Sequence, residues 1–414
     1  MKDKLKNLYI IILLFYSGLS TEFFKSQNGI IALFVFSGIM AFIFKVKINK
    51  IFLYAFSVWV IYIILSYFSH GVFTPFFAFR NFVFIYVTYV VINIYRNRLT
   101  QYFEKYITIL ALISIVFYAW QMLSVNTLAS FMNIFNVAGD IQRGSDYFYN
   151  ILVYTLEINR GTNSILRNYG FCFEPGPFSI YLSLGILFNL MDKGIRFREN
   201  RNLIIMLIAL LTTQSTTGYL AVGSLFVYIS YKQNRSIFKY YIVAFLALGL
   251  VTLILYIPFL GDKIRITYES GLAVEQTLNR AINLNTNYSA GRFGGIILGW
   301  KDFIRFPLLG ISGITELSYG RHSGYGIYMV NGIANIMSTF GLFGIIMYLI
   351  FLIKSSKFFS SIYGRDSNLG FVIVMLISLF SYSVHFGVLT FMFIFSSIFI
   401  NKNYINYYQF INKQ

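Results

Sequence analysis

The stretch from Arg167 to Phe178 reads RNYGFCFEPGPF, in a chain of 414 residues that holds only 15 acidic residues and 5 prolines. Arg167 offers a planar fork of donors that matches phosphate oxygens and stays charged at any physiological pH. Glu174 is a carboxylate able to take a proton from a hydroxyl or to orient a group that does. Pro175 and Pro177 lack backbone N–H groups, so they suit the first turn of a helix and fix the chain as it enters. Two later segments add the same kinds of group: SAGRFGG carries Arg292, and GRHSGYG carries Arg321 and His322. Histidine titrates near neutral pH and is a second candidate base. The chemistry on offer is a phosphate-type anion held by guanidinium beside a group that removes a proton. The structural alternative is that Glu174 caps the following helix and pairs with Arg167.

The elements that must position these residues follow from composition. The chain is 57% hydrophobic, 20% aromatic and 12% charged, which excludes an ordinary soluble domain. Apolar runs recur along its whole length, predicting an all-α polytopic membrane protein, one integral membrane domain over residues 1–414. The expected spans are 8 to 22, 29 to 45, 51 to 69, 75 to 95, 106 to 124, 178 to 191, 202 to 214, 217 to 231, 240 to 260, 327 to 353, 369 to 384 and 386 to 400. These amount to about 12 transmembrane helices. The first run follows MKDKLKN without a small-x-small cleavage site and is expected to be a retained helix. KVKINK, RNRLTQYFEK, DKGIRFRENR, YKQNRSIFK and KSSKFFSSIYGRDSN are basic connections, which puts them and both termini in the cytoplasm. Two long, partly helical external loops remain, at about 125–177 and 261–326.

Arginine departs from that topology where lysine obeys it. Only Lys25, Lys263 and Lys301 fall outside, against Arg143, Arg160, Arg167, Arg265, Arg280, Arg292, Arg305 and Arg321. As a set these arginines favour an external anion site of pyrophosphate type. Arg80 falls inside the fourth expected span, about a turn and a half below the outer surface, where an ionisable group is functional by default. His70 and His385 map to short external turns and are assigned bland interfacial roles. The net charge of +18 is scattered between apolar runs and does not point to nucleic acid. Cys172, the single cysteine, excludes an internal disulfide or thiolate cluster. In RFGGIILGWKDFIRF, Phe293, Ile296, Ile297, Leu298, Trp300, Phe303 and Ile304 share one helical arc, with Lys301, Asp302 and Arg305 opposite. This predicts a helix lying along the membrane surface with its basic residues toward water.

RNYGFCFEPGPFSIYLSLG resembles the arginine, glycine and Glu-Pro pattern of Wzy-type O-antigen and capsule polymerases, in the superfamily that includes O-antigen ligases. QSTTGYLAV, SAGRFGGIILGWKDFIRFPLLGISG and RHSGYGIYMVNGIANIMSTFGLFGIIMYL resemble further segments of that superfamily in the same order. The resemblance covers roughly residues 167 to 350. It implies a GT-C-like membrane glycosyltransferase of lipopolysaccharide or capsule biosynthesis, at the outer face of the bacterial cytoplasmic membrane. Its donor and acceptor would be undecaprenyl-diphosphate-linked oligosaccharides, with no cofactor or metal required. A chain-length regulator and a flippase would be its partners. By matching positions, Arg167 and Arg292 would contact the diphosphate, Glu174 would be the Glu-Pro carboxylate and His322 the histidine ahead of the tenth span. Arg80 and Arg321 join the diphosphate ligands. His322 is favoured as base with Glu174 orienting it or an arginine, and the reverse assignment stays open.

Three rivals remain. A ligase would use the same chemistry on a lipid A core acceptor. A lipid-linked oligosaccharide flippase would be expected to show internal repeats and deeply placed charges. A metal-dependent transferase would want a close acidic pair in the first external loop, where TEFFKSQNG has only Glu22.

Overall fold

The computed structural model describes residues 2–18, 21–137, 141–143, 146–159, 166–195, 199–233, 269, 273–284, 286–322, 325–364 and 367–399. Helices dominate. The N-terminal part runs α1 (Lys2–Gly18), α2 (Glu22–Lys25), α3 (Gln27–Ile43), α4 (Lys50–His70), α5 (Pro75–Tyr95), α6 (Leu99–Leu123) and α7 (Val125–Ile134). Strands β1 (Ile141–Arg143), β2 (Asp146–Asn150) and β3 (Thr155–Asn159) lead to α8 (Pro175–Lys193), α9 (Arg201–Thr213) and α10 (Thr216–Gln233). The second half holds α11 (Val274–Asn283), β4 (Asn287–Ser289), α12 (Gly291–Arg305), β5 (Arg321–His322), β6 (Tyr325–Tyr328), α13 (Gly332–Tyr363), α14 (Gly370–Ser381) and α15 (Val388–Phe395).

Within the described residues each expected apolar segment coincides with a helix, and 240 to 260 lies outside them. Among the described residues, three helical stretches are long and apolar enough to cross a membrane: Lys50–His70, Pro75–Leu123 and Gly332–Tyr363. The helix expected from 327 begins at Gly332 instead, because Tyr325–Tyr328 forms a strand and Asn331 caps the helix, its side chain accepting from the Ala334 amide at 2.9 Å.

Helix α8 is the centre of the bundle. PFSIYLSLGILFNLM is apolar on every side and every residue from Pro175 to Met191 is buried, as expected of a helix enclosed by others. It packs against α6, α9, α10 and α14. Gly185 allows the close approach: a Cβ there would lie 2.7 Å from Ile107 and 2.8 Å from Met206.

The loops contain two small sheets that helical periodicity did not anticipate. β1, β2 and β3 form an antiparallel sheet, in which YFYNILVYTLEI is a hairpin pairing Tyr149 with Leu156. β6 lies between parallel β4 and antiparallel β5.

Helix α12 keeps Arg305 exposed and Lys301 partly exposed, as expected, but buries Asp302. Its buried side is Gly294, Gly295, Leu298, Gly299 and Asp302, while Trp300 is 53% and Ile304 61% exposed. The small residues, not the large apolar ones, meet α13: Cβ atoms on Gly295 and Gly299 would lie 3.2 Å from Asn331 and 2.6 Å from the Ala334 carbonyl. Small residues let two backbones approach, leaving bulky apolar side chains to face outward. Asp302 continues that stripe and is fully buried, accepting from Ser338 Oγ (2.6 Å), Ser318 Oγ (2.9 Å) and the Tyr319 amide (2.5 Å).

Helix α13 is broken at Gly341, whose backbone is left-handed in φ (60°). The segment 307–312 replaces the interrupted hydrogen-bond ladder from both sides. Ile311 and Ser312 amides donate to the Ser338 and Thr339 carbonyls, and Leu342 and Phe343 amides donate to the Pro307 and Leu308 carbonyls, at 2.8 to 3.1 Å. A kink in an apolar helix is tolerated where other protein groups satisfy the freed backbone.

Candidate active site

The segment 166–174 is riveted to the end of α9. Asn168 is fully buried; its Nδ2 donates to Ser114 Oγ (3.0 Å) and Thr212 Oγ1 (2.9 Å), and its Oδ1 accepts from the Gly170 amide. Gly170 has φ +52°, and a Cβ there would meet the Phe178 ring at 2.6 Å. This turn sets Arg167 beside α9, where Nε donates to the Thr213 carbonyl and Nη2 to the Gln214 carbonyl, both at 3.1 Å. Two of five N–H groups thus cap a helix end, and three point elsewhere. Burial pushes the Arg167 guanidinium below the usual arginine value, opposed by Tyr382, Glu157 and Glu174.

Glu174 stands at the N-cap of α8 in extended conformation, followed by Pro175 in the first turn. Its side chain makes no cap hydrogen bond to its own helix. Instead, Arg167 and Tyr382 both feel its charge.

Tyr382, at the C-cap of α14, is the group on which the motifs converge. Glu174, Arg292 and Arg167 act electrostatically on its hydroxyl, and the Arg292 guanidinium lies 5.5 Å from its ring centroid. Arg292 sits in the first turn of α12, and its carbonyl accepts from Asn331 Nδ2 at 3.3 Å. Residues from three distant segments, Arg167, Glu174 and Arg292, therefore form one centre. The Tyr382 contribution was missed in the sequence; its signal is the polar break SYS between the last two apolar runs.

Arg80 and Arg321 occupy a second centre. They line a cavity of about 600 Å³ formed by the start of α5, the 311–329 segment and the first turns of α13. The Arg321 guanidinium stacks 4.4 Å from the Tyr328 ring centroid. Arg80 also lines a smaller pocket of about 180 Å³ with Lys25 of α2. The two centres adjoin: Asn335 lines the larger cavity and donates to Ser383 Oγ at 3.5 Å, next to Tyr382. Ser383 Oγ in turn donates to the Val330 carbonyl at 3.0 Å.

The backbone of His322 pairs with Tyr325 beside Arg321, while its side chain lies outside the described residues. Arg160 and Arg265 also lie outside them. His70 has a structural contact, its Nε2 lying 2.9 Å from the Gly310 carbonyl. His385, expected at a surface turn, is 1% exposed and packs edge-on against Tyr348, within the electrostatic reach of Arg80. Arg305 donates to the Leu317 carbonyl (3.2 Å), and Lys301 pairs with Glu275, which draws that carboxyl below its usual value.

No protein-family model matches the chain, and no curated protein matches it significantly. The functional reading rests on the residues and their placement.

Proposed function

We propose that the chain is a membrane glycosyltransferase that polymerises undecaprenyl-diphosphate-linked oligosaccharides at the outer face of the bacterial cytoplasmic membrane, with both termini in the cytoplasm. The observation that carries this reading is the convergence of Arg167, Glu174 and Arg292 on Tyr382. Each of the three comes from a segment that resembles the polymerase and ligase superfamily, and they meet at the mouth of a central buried helix.

In the proposed reaction the acceptor hydroxyl oxygen bonds to the anomeric carbon of the donor glycan. The bond from that carbon to the diphosphate oxygen breaks, and its electron pair leaves with undecaprenyl diphosphate. Arg292 and the three remaining N–H groups of Arg167 stabilise the charge that develops on the leaving group, without reorganising when it forms. The hydroxyl proton passes to His322 or Glu174. A carboxylate and an imidazole titrate in different ranges, so the acid limb of the pH–rate profile distinguishes them. A limb near neutrality that vanishes in His322→Gln identifies the histidine, and a limb in the carboxylate range identifies Glu174.

The test is incubation of the purified protein with its lipid-linked repeat unit in EDTA. A ladder of glycan lengths is expected. Transport of the lipid in liposomes without a ladder would make the chain a flippase, and transfer of one preformed glycan to a lipid A core without a ladder would make it a ligase.

A further inference from the structure

The basic connection KVKINK between α3 and α4 supplies one wall of a cavity of about 530 Å³, through Lys45, Val46, Lys47 and Ile48. The opposite wall is Tyr86, Tyr89 and Val90 of α5. Tyr89 follows Arg80 on that helix by roughly 14 Å at ~1.5 Å per residue. The cavity therefore sits toward the end of α5 away from the arginine centres.

The turn is built to hold its lysines there. At the end of α3 the Val46 amide donates to the Ala41 carbonyl (2.9 Å) and the Lys45 amide to the Phe42 carbonyl (3.1 Å). This pattern of helix ending puts the residue after the cap in the left-handed region, where glycine is favoured. Here that residue is Lys45, with φ 53°. The Tyr89 hydroxyl donates to the Lys47 carbonyl and pins the turn to α5. The Asn49 side chain then accepts from the Phe52 amide at 2.9 Å and starts α4. The Lys6 ammonium, 5.7 Å from the Phe44 ring centroid, brings a further positive charge beside the turn.

Lys45 and Lys47 are exposed, and among the described residues no carboxylate lies within ion-pair distance of either. Their neighbours on the rim are bare apolar side chains: Phe42 is 86% and Ile48 64% exposed. Val35 and Ile39 continue from Phe42 as an exposed apolar ridge along α3. Retention of lysine on one side of a membrane accounts for the residue type. It requires neither a cavity nor a lysine in a backbone conformation that disfavours side chains. Ammonium groups set at the head of an apolar ridge match a phosphate joined to hydrocarbon, and basic pockets between membrane helices are suited to such headgroups.

We propose that this cavity binds an anionic glycerophospholipid of the surrounding bilayer, its phosphate facing Lys45 and Lys47 and its acyl chains lying along Phe42, Ile39 and Val35. Under the topology read from the basic connections this is a lipid of the cytoplasmic leaflet. The site does not depend on any transfer reaction.

The experiment is native mass spectrometry of the full chain in detergent, titrated with phosphatidylglycerol or with phosphatidylethanolamine of the same acyl chains. Phosphatidylglycerol is expected to bind at least about fivefold tighter, and Lys47→Ala to weaken it about fivefold, the effect of one lysine near an anionic headgroup. Lys45→Gly should weaken it as much, yet unfold no lower than wild type without lipid, because glycine suits the left-handed turn. Lys4→Ala, which removes an exposed lysine of α1 that does not line the cavity, should leave binding unchanged. Phosphatidylglycerol should raise the unfolding midpoint of the wild type and not that of the Lys45→Gly, Lys47→Ala double variant. Glycerol phosphate at the same concentration should not displace the lipid. Equal binding of the two lipids, or an equal loss in Lys4→Ala, would reduce the site to diffuse attraction by a basic surface. Displacement by glycerol phosphate would make it a site for a soluble anion. Each of these results overturns the proposal, as does unchanged binding in both cavity variants.

Discussion

Gly176 and Tyr382 meet so closely that a Cβ on the glycine would lie 2.0 Å from the Cζ and Oη of the tyrosine. The glycine between Pro175 and Pro177 is thus the platform on which the Tyr382 ring rests. Gly176→Ala forces the whole ring aside and separates Arg292 from the α8 N-terminus. Ladder synthesis should fall at least about tenfold, which is ~1.4 kcal/mol of lost transition-state stabilisation, with an unchanged gel-filtration profile. Full activity in this variant would remove Tyr382 from the site. Tyr382→Phe, which keeps the ring, isolates the part played by the hydroxyl.

Arg167 and Arg292 should differ in their effect on stability. Arg167→Ala strips donors from the Thr213 and Gln214 carbonyls, a loss of about 1–3 kcal/mol. Arg292→Ala removes contacts to the Tyr382 side chain, a ring contact and a hydrogen bond, but no helix-end cap, and should unfold nearer the wild-type temperature. Both should lose the ladder, and normal glycan lengths in both would exclude them as diphosphate ligands.

Asp302 holds α12, α13 and the 318–319 segment together through one carboxylate. Asp302→Ala leaves two hydroxyls and an amide buried without their acceptor, and should destabilise the protein by about 2–4 kcal/mol. Asp302→Asn keeps one acceptor oxygen and should fall between. Thermal unfolding in detergent measures both. An unshifted midpoint for the alanine variant would show that these elements are held by packing.

Cys172 should be inert. It is fully buried, and burial pushes its thiol well above the ordinary value, while the thiolate is the reactive form. Maleimide should fail to label the native protein at pH 8 and label it fully after denaturation. Rapid native labelling would mean that the 166–174 turn opens in solution.

The apolar segments were legible because helix-length runs broken by basic connections leave few alternatives. The start of α5 at Pro75 was read to the residue, since a proline suits the first turn of a helix. The face of α12 was read in part: Arg305 and Lys301 reach the surface and Leu298 is buried, but Asp302 is buried with it while Trp300 and Ile304 are exposed. Its large apolar residues dominate the periodicity, but contact with α13 is made through glycines, which contribute nothing to that pattern. Asp302 looked solvated for the same reason. Tyr382 was illegible because its importance depends on what surrounds it in space: a glycine, two arginines and a glutamate from distant segments. The division of the arginines into two centres likewise needed the fold.

The splice between residues 307–312 and the break at Gly341 has a consequence for building hybrids of such proteins. The loop supplies both donors and acceptors to the α13 backbone, so it is as much a part of that helix as the residues on either side of the break. A loop transplanted from a relative without its own α13, or the helix without its loop, would leave peptide groups stranded in an apolar setting. Exchange of substrate specificity by grafting should succeed only when residues 307 to 343 travel as one block.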